Sequence, residues 1–407
     1  MKNELPIPKD EWERIIKLSE FDFDYTDRNK SLSDLARLAA KVAGTQISLI
    51  NLIDSFTQWS ISNYGLPLEQ MPREDSVCQY TIATKEDDFE VKDLSMDYRF
   101  KDKFYVTDEP KLRYYFGVPL QTNDGYNLGA LCVLDTVGKE IAPEKVELLK
   151  IIASEIVNRL IAIKVISSLR NKVNESKEAQ KKVAHDIRGP IGGIISLAQI
   201  ISELGDRNKM EEVLEFIDLI QKSGNSLLEL ANEILDAEEK SNKQEDQSRE
   251  NLFNLSIFKS KIEQLYTPQA IHKHIDFSVY AHPELASVDF PKNKLLQIAG
   301  NIISNAMKFT PENGKIRVEL QMERQESKNL ITIKVSDSGV GMDEMSIKDV
   351  LEGNANSTEG TGGEVGYGFG LALVKHLVEE LKGTMHIHSK IGEGTSFEIK
   401  LSQPCVS

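Results

Sequence analysis

Residues 301–310 read NIISNAMKFT. Asn301, Asn305 and Lys308 stand at i, i+4 and i+7, so a helix carries all three on one face. Two amides and an ammonium make a poor core face but a suitable lining for a metal-bound polyphosphate. The isoleucines and alanine between them supply the buried face. A solvated polar stripe has the same spacing, so the decision falls to the segments around it.

Downstream, VSDSGVGMD (335–343) ends an apolar strand in Asp337, followed by Gly339 and Gly341. Glycines let backbone approach a ligand closely, and an ionised aspartate only accepts, as an exocyclic amine such as that of adenine requires. Turns after strands often look the same. Next, GYGFGLALVKHLVEEL sets Gly366, Gly368 and Gly370 before an apolar helix, where amides and a helix N-terminus suit an anion. The Gly-rich polar run GNANSTEGTGGEV (353–365) before it reads as a lid. GEGTSF then leads into a last strand, with the Thr395 hydroxyl near the same pocket.

Taken in this order, the four segments resemble the N, G1, G2 and G3 boxes of the histidine-kinase ATPase family, whose fold is shared with gyrase. The resemblance implies a Bergerat-type α/β sandwich that binds ATP with Mg²⁺. It would set Asn305 on the metal, Lys308 near the phosphates and Asp337 on the adenine amino group. Mg²⁺ would keep water and phosphate oxygens as its other ligands. Phe369 stands where the family usually has leucine, and the Phe-x-x-Phe element of the lid is not evident.

Upstream lies KKVAHDIRGPIGGI (181–194). His185 is followed by Asp186, Arg188 and the helix-kinking Pro190. An imidazole attacks phosphorus through one unprotonated nitrogen while an acceptor, here Asp186, holds the other. A lone surface histidine is the plain alternative. The pattern resembles the H box of histidine kinases, which makes His185 the phosphorylated residue with Asp186 and Arg188 beside it. Many members carry Thr or Asn where this chain has Gly189, a position that orients water for dephosphorylating the partner. Weak or absent phosphatase activity is therefore expected.

From Pro143 to about Lys240 the pattern is helical. Leu149, Ile152, Ile156, Leu160, Ile163 and Ile166 recur at spacings of three and four, a coiled-coil-like seam expected to pair with a second copy of the chain. A helical hairpin doubled in a homodimer forms a four-helix bundle. The polar run around 238–251 reads as a linker.

The first 142 residues mix helix and strand. ISLINLID and QWSISNYG read as strands, and YYFGVPLQ and LGALCVLD as a pair joined by Asn123-Asp124-Gly125. An antiparallel sheet with helices packed on a face is expected. Arg73 to Tyr80, VKDLSMDYRF, LRYYFGVPL and GALCVLD together resemble a GAF domain, with its ligand unknown. Tyr98 to Tyr115 lacks the cysteine that bilin attachment needs, and Cys78 and Cys132 read as small core residues. His272/His274 and His386/His388 read as side-by-side pairs on strands.

The organisation is thus multidomain α+β: a sensor domain over 1–142, a signalling helix over 143–180, a dimerisation and phosphotransfer domain over 181–242 and an ATP-binding domain over 250–407. The formal net charge of −15, from 64 acidic and 49 basic residues in 407, disfavours nucleic acid as a partner. The most apolar helical stretch, 148–166, is interrupted by Lys150, Glu155, Arg159 and Lys164, so membrane insertion is not expected. The N-terminus lacks a signal-peptide core, and three widely spaced cysteines suggest a reducing compartment, hence the cytoplasm. The function implied is a sensor histidine kinase that passes its phosphoryl group to a separate response regulator. The alternatives are a pseudokinase-like scaffold and a gyrase- or chaperone-type ATPase.

Overall fold

The computed structural model describes residues 6–25, 30–166, 252–292, 294–325, 328–352, 360–361 and 368–404, with isolated positions between 169 and 222. Two compact units divide the chain, one formed by Met1–Ala162 with Leu252–Ser407 and the other by Ile163–Asn251. The first and third sequence segments therefore share one unit. His185, Asp186, Arg188, Gly189 and Gly366 lie outside the described residues.

The first domain opens with α1 (Glu11–Ser19) and α2 (Lys30–Ala43). Its sheet comprises β1 (Ile47–Ile53), β2 (Thr57–Tyr64), β3 (Gln70–Pro72), β4 (Phe89–Val91), β5 (Tyr114–Gln121) and β6 (Asn127–Asp135). Short helices α3 (Cys78–Ala83) and α4 (Phe104–Thr107) interrupt it, and α5 spans 143–166. Strand order is β3-β2-β1-β6-β5-β4, antiparallel throughout. The Asn123-Asp124-Gly125 turn joins β5 to β6, and Gly125 supplies the positive φ of 94° that the turn requires.

Both faces of this sheet are covered, which is why central β1 is buried along its whole length. One face packs α2 and α5, and the other packs Val77, Ile82, Leu94 and Phe100. In the middle of β1, Asn51 is fully buried and satisfied: Oδ1 accepts from Ser60 Oγ at 2.5 Å, and Nδ2 lies 3.3 Å from Cys78 Sγ and 3.5 Å from Cys132 Sγ. Both cysteines are buried free thiols.

The seam expected to meet a second copy has a different partner over most of its length. Leu149, Ile152, Ile156 and Leu160 are buried against the first domain's own sheet, whereas Ile163 and Ile166 are 36% and 50% exposed. A stripe at spacings of three and four fits a sheet as well as another helix, so periodicity alone did not name the partner.

The ATPase segment contributes β7 (Leu252–Phe253), α6 (Leu255–His272), β8 (Asp276–Ala281), β9 (Phe290–Pro291), α7 (Leu295–Phe309), β10 (Lys315–Arg324) and β11 (Lys328–Asp337). It continues with α8 (Glu344–Glu352), α9 (Phe369–Glu380), β12 (Thr384–Lys390) and β13 (Gly394–Pro404). Five strands order as β12-β13-β11-β10-β8, with only β8 and β10 parallel among them. Burial alternates along β10 and β11, so one face is solvated while the other carries α6, α7 and α9. Asn254 caps α6 by accepting the Ile257 amide at 2.9 Å.

One of the two histidine pairs differs from expectation. His272 ends α6 and His274 sits in the following turn at φ 53°, so they do not share a strand. His386 and His388 do lie on β12. Among the described residues no cluster of His, Cys, Asp or Glu has metal-binding geometry, and no helix is long and apolar enough to cross a membrane.

Candidate nucleotide site

Helix α7 forms the floor of the site. Asn301 is 3% exposed, and its Nδ2 donates back to the Gln297 carbonyl at 2.9 Å. Its Oδ1 is buried without a hydrogen-bond partner, and so is Gln297 Oε1 one turn earlier. Such orphans are rare because each costs about 1–3 kcal/mol. A buried hard oxygen acceptor is the donor type that Mg²⁺ or its water shell takes, so the residues present fit a metal-bound polyphosphate. Asn305 is half-buried one turn on. Lys308 is 6% exposed, its ammonium 4.6 Å from the Phe309 ring centroid.

Helix α9 meets the floor at Asn301. Gly368 caps it at φ 79°, a left-handed conformation suited to glycine, and Gly370 follows in its first turn. A Cβ built on Gly370 would stand 3.1 Å from Asn301 Oδ1, so the helix N-terminus and the orphan oxygen face the same space. Unpaired amides and positive partial charge there favour phosphate.

The C-terminal end of α7 holds the second half of the site. Phe309 lies eight residues past Asn301, about 12 Å along the helix. Its carbonyl accepts from the Val340 amide at 3.2 Å, which brings the loop after β11 onto the helix end. Here Asp337 Oδ1 accepts amides from Gly339 at 2.8 Å and Thr395 at 3.2 Å. Burial pushes the Asp337 carboxyl up from its ordinary value, and those two amides pull it part of the way back. Gly339 would clash at Cβ with the Phe309 carbonyl, and Gly341, at φ 70°, with that of Lys390. The glycines are thus required by close backbone approach. Thr395 Oγ1 lies 2.9 Å from Ser389 Oγ, which accepts the Met342 amide at 2.7 Å.

Asp337, Gly339, Gly341 and Thr395 therefore gather at the C-terminal end of α7, Asn301, Gly368 and Gly370 at its middle, and Asn305 and Lys308 lie between. Of the lid run, Thr361 is described, and its amide donates to the Lys308 carbonyl at 3.1 Å. Lys273 was not foreseen. Its ammonium donates to the Met307 and Lys308 carbonyls at 2.7 and 3.0 Å and to Thr361 Oγ1 at 3.1 Å, closing the C-terminus of α7. A lysine between two histidines carries no local signal for that role.

The geometry is that of a nucleotide-binding α/β sandwich. Residues 291–404 match the family described as histidine kinase-, DNA gyrase B-, and HSP90-like ATPase, and residues 176–242 match the His Kinase A (phospho-acceptor) domain. The chain thus carries an ATPase domain and a phosphoacceptor domain of histidine-kinase type, and His185 falls inside the latter.

Among characterised proteins, the chain is 31% identical over 232 residues to the autoinducer 2 sensor kinase/phosphatase LuxQ of Vibrio vulnificus, covering 54% of this chain and 26% of that one. It is 30% identical over 228 residues to the sensor histidine kinase GacS of Pseudomonas protegens, covering 54% and 24%. Over 130 residues it is 38% identical to a cyclic di-GMP phosphodiesterase of Pseudomonas aeruginosa, covering 32% and 22%. The chain spans about a quarter of the length of these relatives.

Proposed function

We propose that this chain is an ATP-dependent protein-histidine kinase that phosphorylates its own His185 and delivers the phosphoryl group to an aspartate of a separate response regulator. The observation that carries the reading is the pairing of the anchored Asp337 acceptor at the C-terminal end of α7 with the orphaned Asn301 oxygen about two turns back along the helix. Between them they suit a base with an exocyclic amine and a metal-bound polyphosphate.

ATP supplies the transferable phosphoryl group when bound, and Mg²⁺ neutralises its charge. Asp337 would accept the adenine amine, Asn301 and Asn305 would hold the metal, and Lys308 and the amides of Gly368 and Gly370 would face the phosphates. His185 would attack through an unprotonated ring nitrogen, with Asp186 accepting a hydrogen bond from the N–H of the other. Positioning and charge neutralisation carry such transfers. The phosphoacceptor segment works as a homodimer, and we place it in the cytoplasm.

The first domain is read as a GAF sensor whose ligand the residues do not name. A fully antiparallel six-stranded sheet covered by helices supports that reading. The relative named as a kinase/phosphatase raises hydrolysis of the partner's phosphoryl group, but Gly189 stands where a water-orienting side chain would be expected.

The test is incubation of the purified chain with γ-labelled ATP and Mg²⁺, beside His185→Gln. Label confined to the parent chain, lost in acid and kept in base, establishes phosphohistidine. Nucleotide binding without label supports the scaffold alternative instead.

A further inference from the structure

Both tryptophans of the chain belong to the first domain, and both lie against the ATPase domain. Trp12, on α1, stacks on Phe369 with ring centroids 6.5 Å apart and meets His376 edge-on at 6.0 Å. Trp59, on β2, is 4% exposed and meets Tyr266 of α6 edge-on at 6.3 Å. Ile15 and Trp59 are buried in the same cluster as the core of the ATPase domain. Polar contacts frame this patch. Gln70 donates to the Leu265 carbonyl at 2.5 Å, Gln269 donates to Gln70 at 2.7 Å, and Lys261 pairs with Asp24 at 2.6 Å.

One residue of this surface reaches the phosphate end of the nucleotide site. Phe56, in the turn between β1 and β2, places ring carbons 2.1 and 2.7 Å from the Cβ position of Gly370. The same position is 3.1 Å from the orphan Asn301 Oδ1, so ring and amide oxygen flank one small space. The turn that presents Phe56 is held by buried ions. Arg14 donates to the Ile53 carbonyl at 2.7 Å, Arg73 donates to that of Asp54 at 3.1 Å, and the Arg73 amide donates to that of Phe56 at 2.8 Å. Glu11 pairs with both guanidiniums.

We infer that the first domain is an intramolecular partner of the ATPase domain, and that its Phe56 competes with nucleotide phosphates for the space over Gly370. The inference rests on the nucleotide reading proposed above. A phosphate oxygen that reaches the amides of a helix start must lie against the backbone there, and the phenyl ring takes that place. The ring also offers nothing to Asn301 Oδ1, so the docked arrangement leaves a buried acceptor unsatisfied that a metal-bound ligand would satisfy. Two arrangements with different satisfied groups are what a switch requires. Phe369 has a role here as well, because it gives Trp12 an aromatic face that leucine would not. A signal that loosens the first domain would raise nucleotide occupancy.

The test is a titration of the full chain with Mg²⁺ and a non-hydrolysable ATP analogue, reading tryptophan emission, for the parent chain and Phe56→Ala. Emission should shift to the red saturably as Trp12 and Trp59 lose their partners. If the docked form holds about 90% of the molecules, Phe56→Ala should bind about tenfold more tightly. Equal affinity in both chains, with no emission shift on binding, overturns the inference. Failure of both chains to bind overturns the nucleotide reading instead. A third measurement needs no nucleotide: Lys261→Glu should red-shift the emission, and adding Asp24→Lys should restore it. An unchanged spectrum in Lys261→Glu would count against the docking surface itself.

Discussion

Asp337 and Thr395 face each other across the β11–β13 pair, and the Thr395 amide donates to Asp337 Oδ1 at 3.2 Å. With the Gly339 amide on the same oxygen at 2.8 Å, the carboxylate is oriented before any ligand arrives. Asp337→Asn replaces an acceptor-only group by one that also donates. Nucleotide affinity, followed by calorimetry, should fall about ten- to hundredfold, the scale of a lost charged hydrogen bond. Unchanged affinity would remove Asp337 from the site.

The same carboxyl sets a pH dependence. Burial raises it above its ordinary value of 3.8. Between that value and the raised one, the folded chain holds a proton that the unfolded chain has released. Stability through this group therefore falls as pH rises across the window. Nucleotide affinity should run the other way, dropping as pH falls through the raised value, because a protonated carboxyl is a poorer acceptor. A binding curve flat across the acidic range would contradict this.

Glu11 is 1% exposed and bonds both Arg14, through two contacts at 2.8 Å, and Arg73 at 2.5 Å. Glu11→Gln leaves two buried cations without their counter-charge, and thermal unfolding should report a loss of about 3–5 kcal/mol. Burial works to raise the Glu11 carboxyl, but the charges and hydrogen bonds of Arg14 and Arg73 outweigh it and lower it below 4.5. Its stabilisation is thus complete above 4.5 and lost as pH falls through the lowered value.

Gly129 on β6 pairs with Leu52, and a Cβ there would stand 1.9 Å from the Asn51 carbonyl oxygen. That neighbour is backbone of the central strand and cannot turn aside. Gly129→Ala should cost about 3 kcal/mol in denaturant unfolding, the upper end for overpacking. A value near zero would mean that the strands separate locally without loss.

For Gly189, Gly189→Thr should raise dephosphorylation of the phosphorylated response regulator by on the order of tenfold or more, as a positioned water-orienting side chain does. A parent chain that is already an active phosphatase, unchanged by the substitution, would refute the expectation.

Much of the catalytic half was legible because its chemistry is local. The 301–310 stripe, the Asp337 strand end and the glycines before α9 each declare a helix face, an acceptor or a close approach within ten residues. The β5–β6 hairpin was legible for the same reason, since Asn123-Asp124-Gly125 supplies its own turn geometry. The α5 seam was misleading, because Leu149 to Leu160 show the same spacing whether a helix or a sheet covers them. Lys273 was silent, since capping α7 depends on where two distant helices end.

The sequence by itself named the residues proposed to accept an adenine amine, face phosphate or take a phosphoryl group, because such proposals rest on side-chain types and short spacings. Tertiary structure alone decided that Phe56 lies over Gly370 and that Trp12 stacks on Phe369, positions more than 300 residues apart in the chain. Contacts at such separation are set by the burial of whole faces, and no local pattern encodes which face meets which.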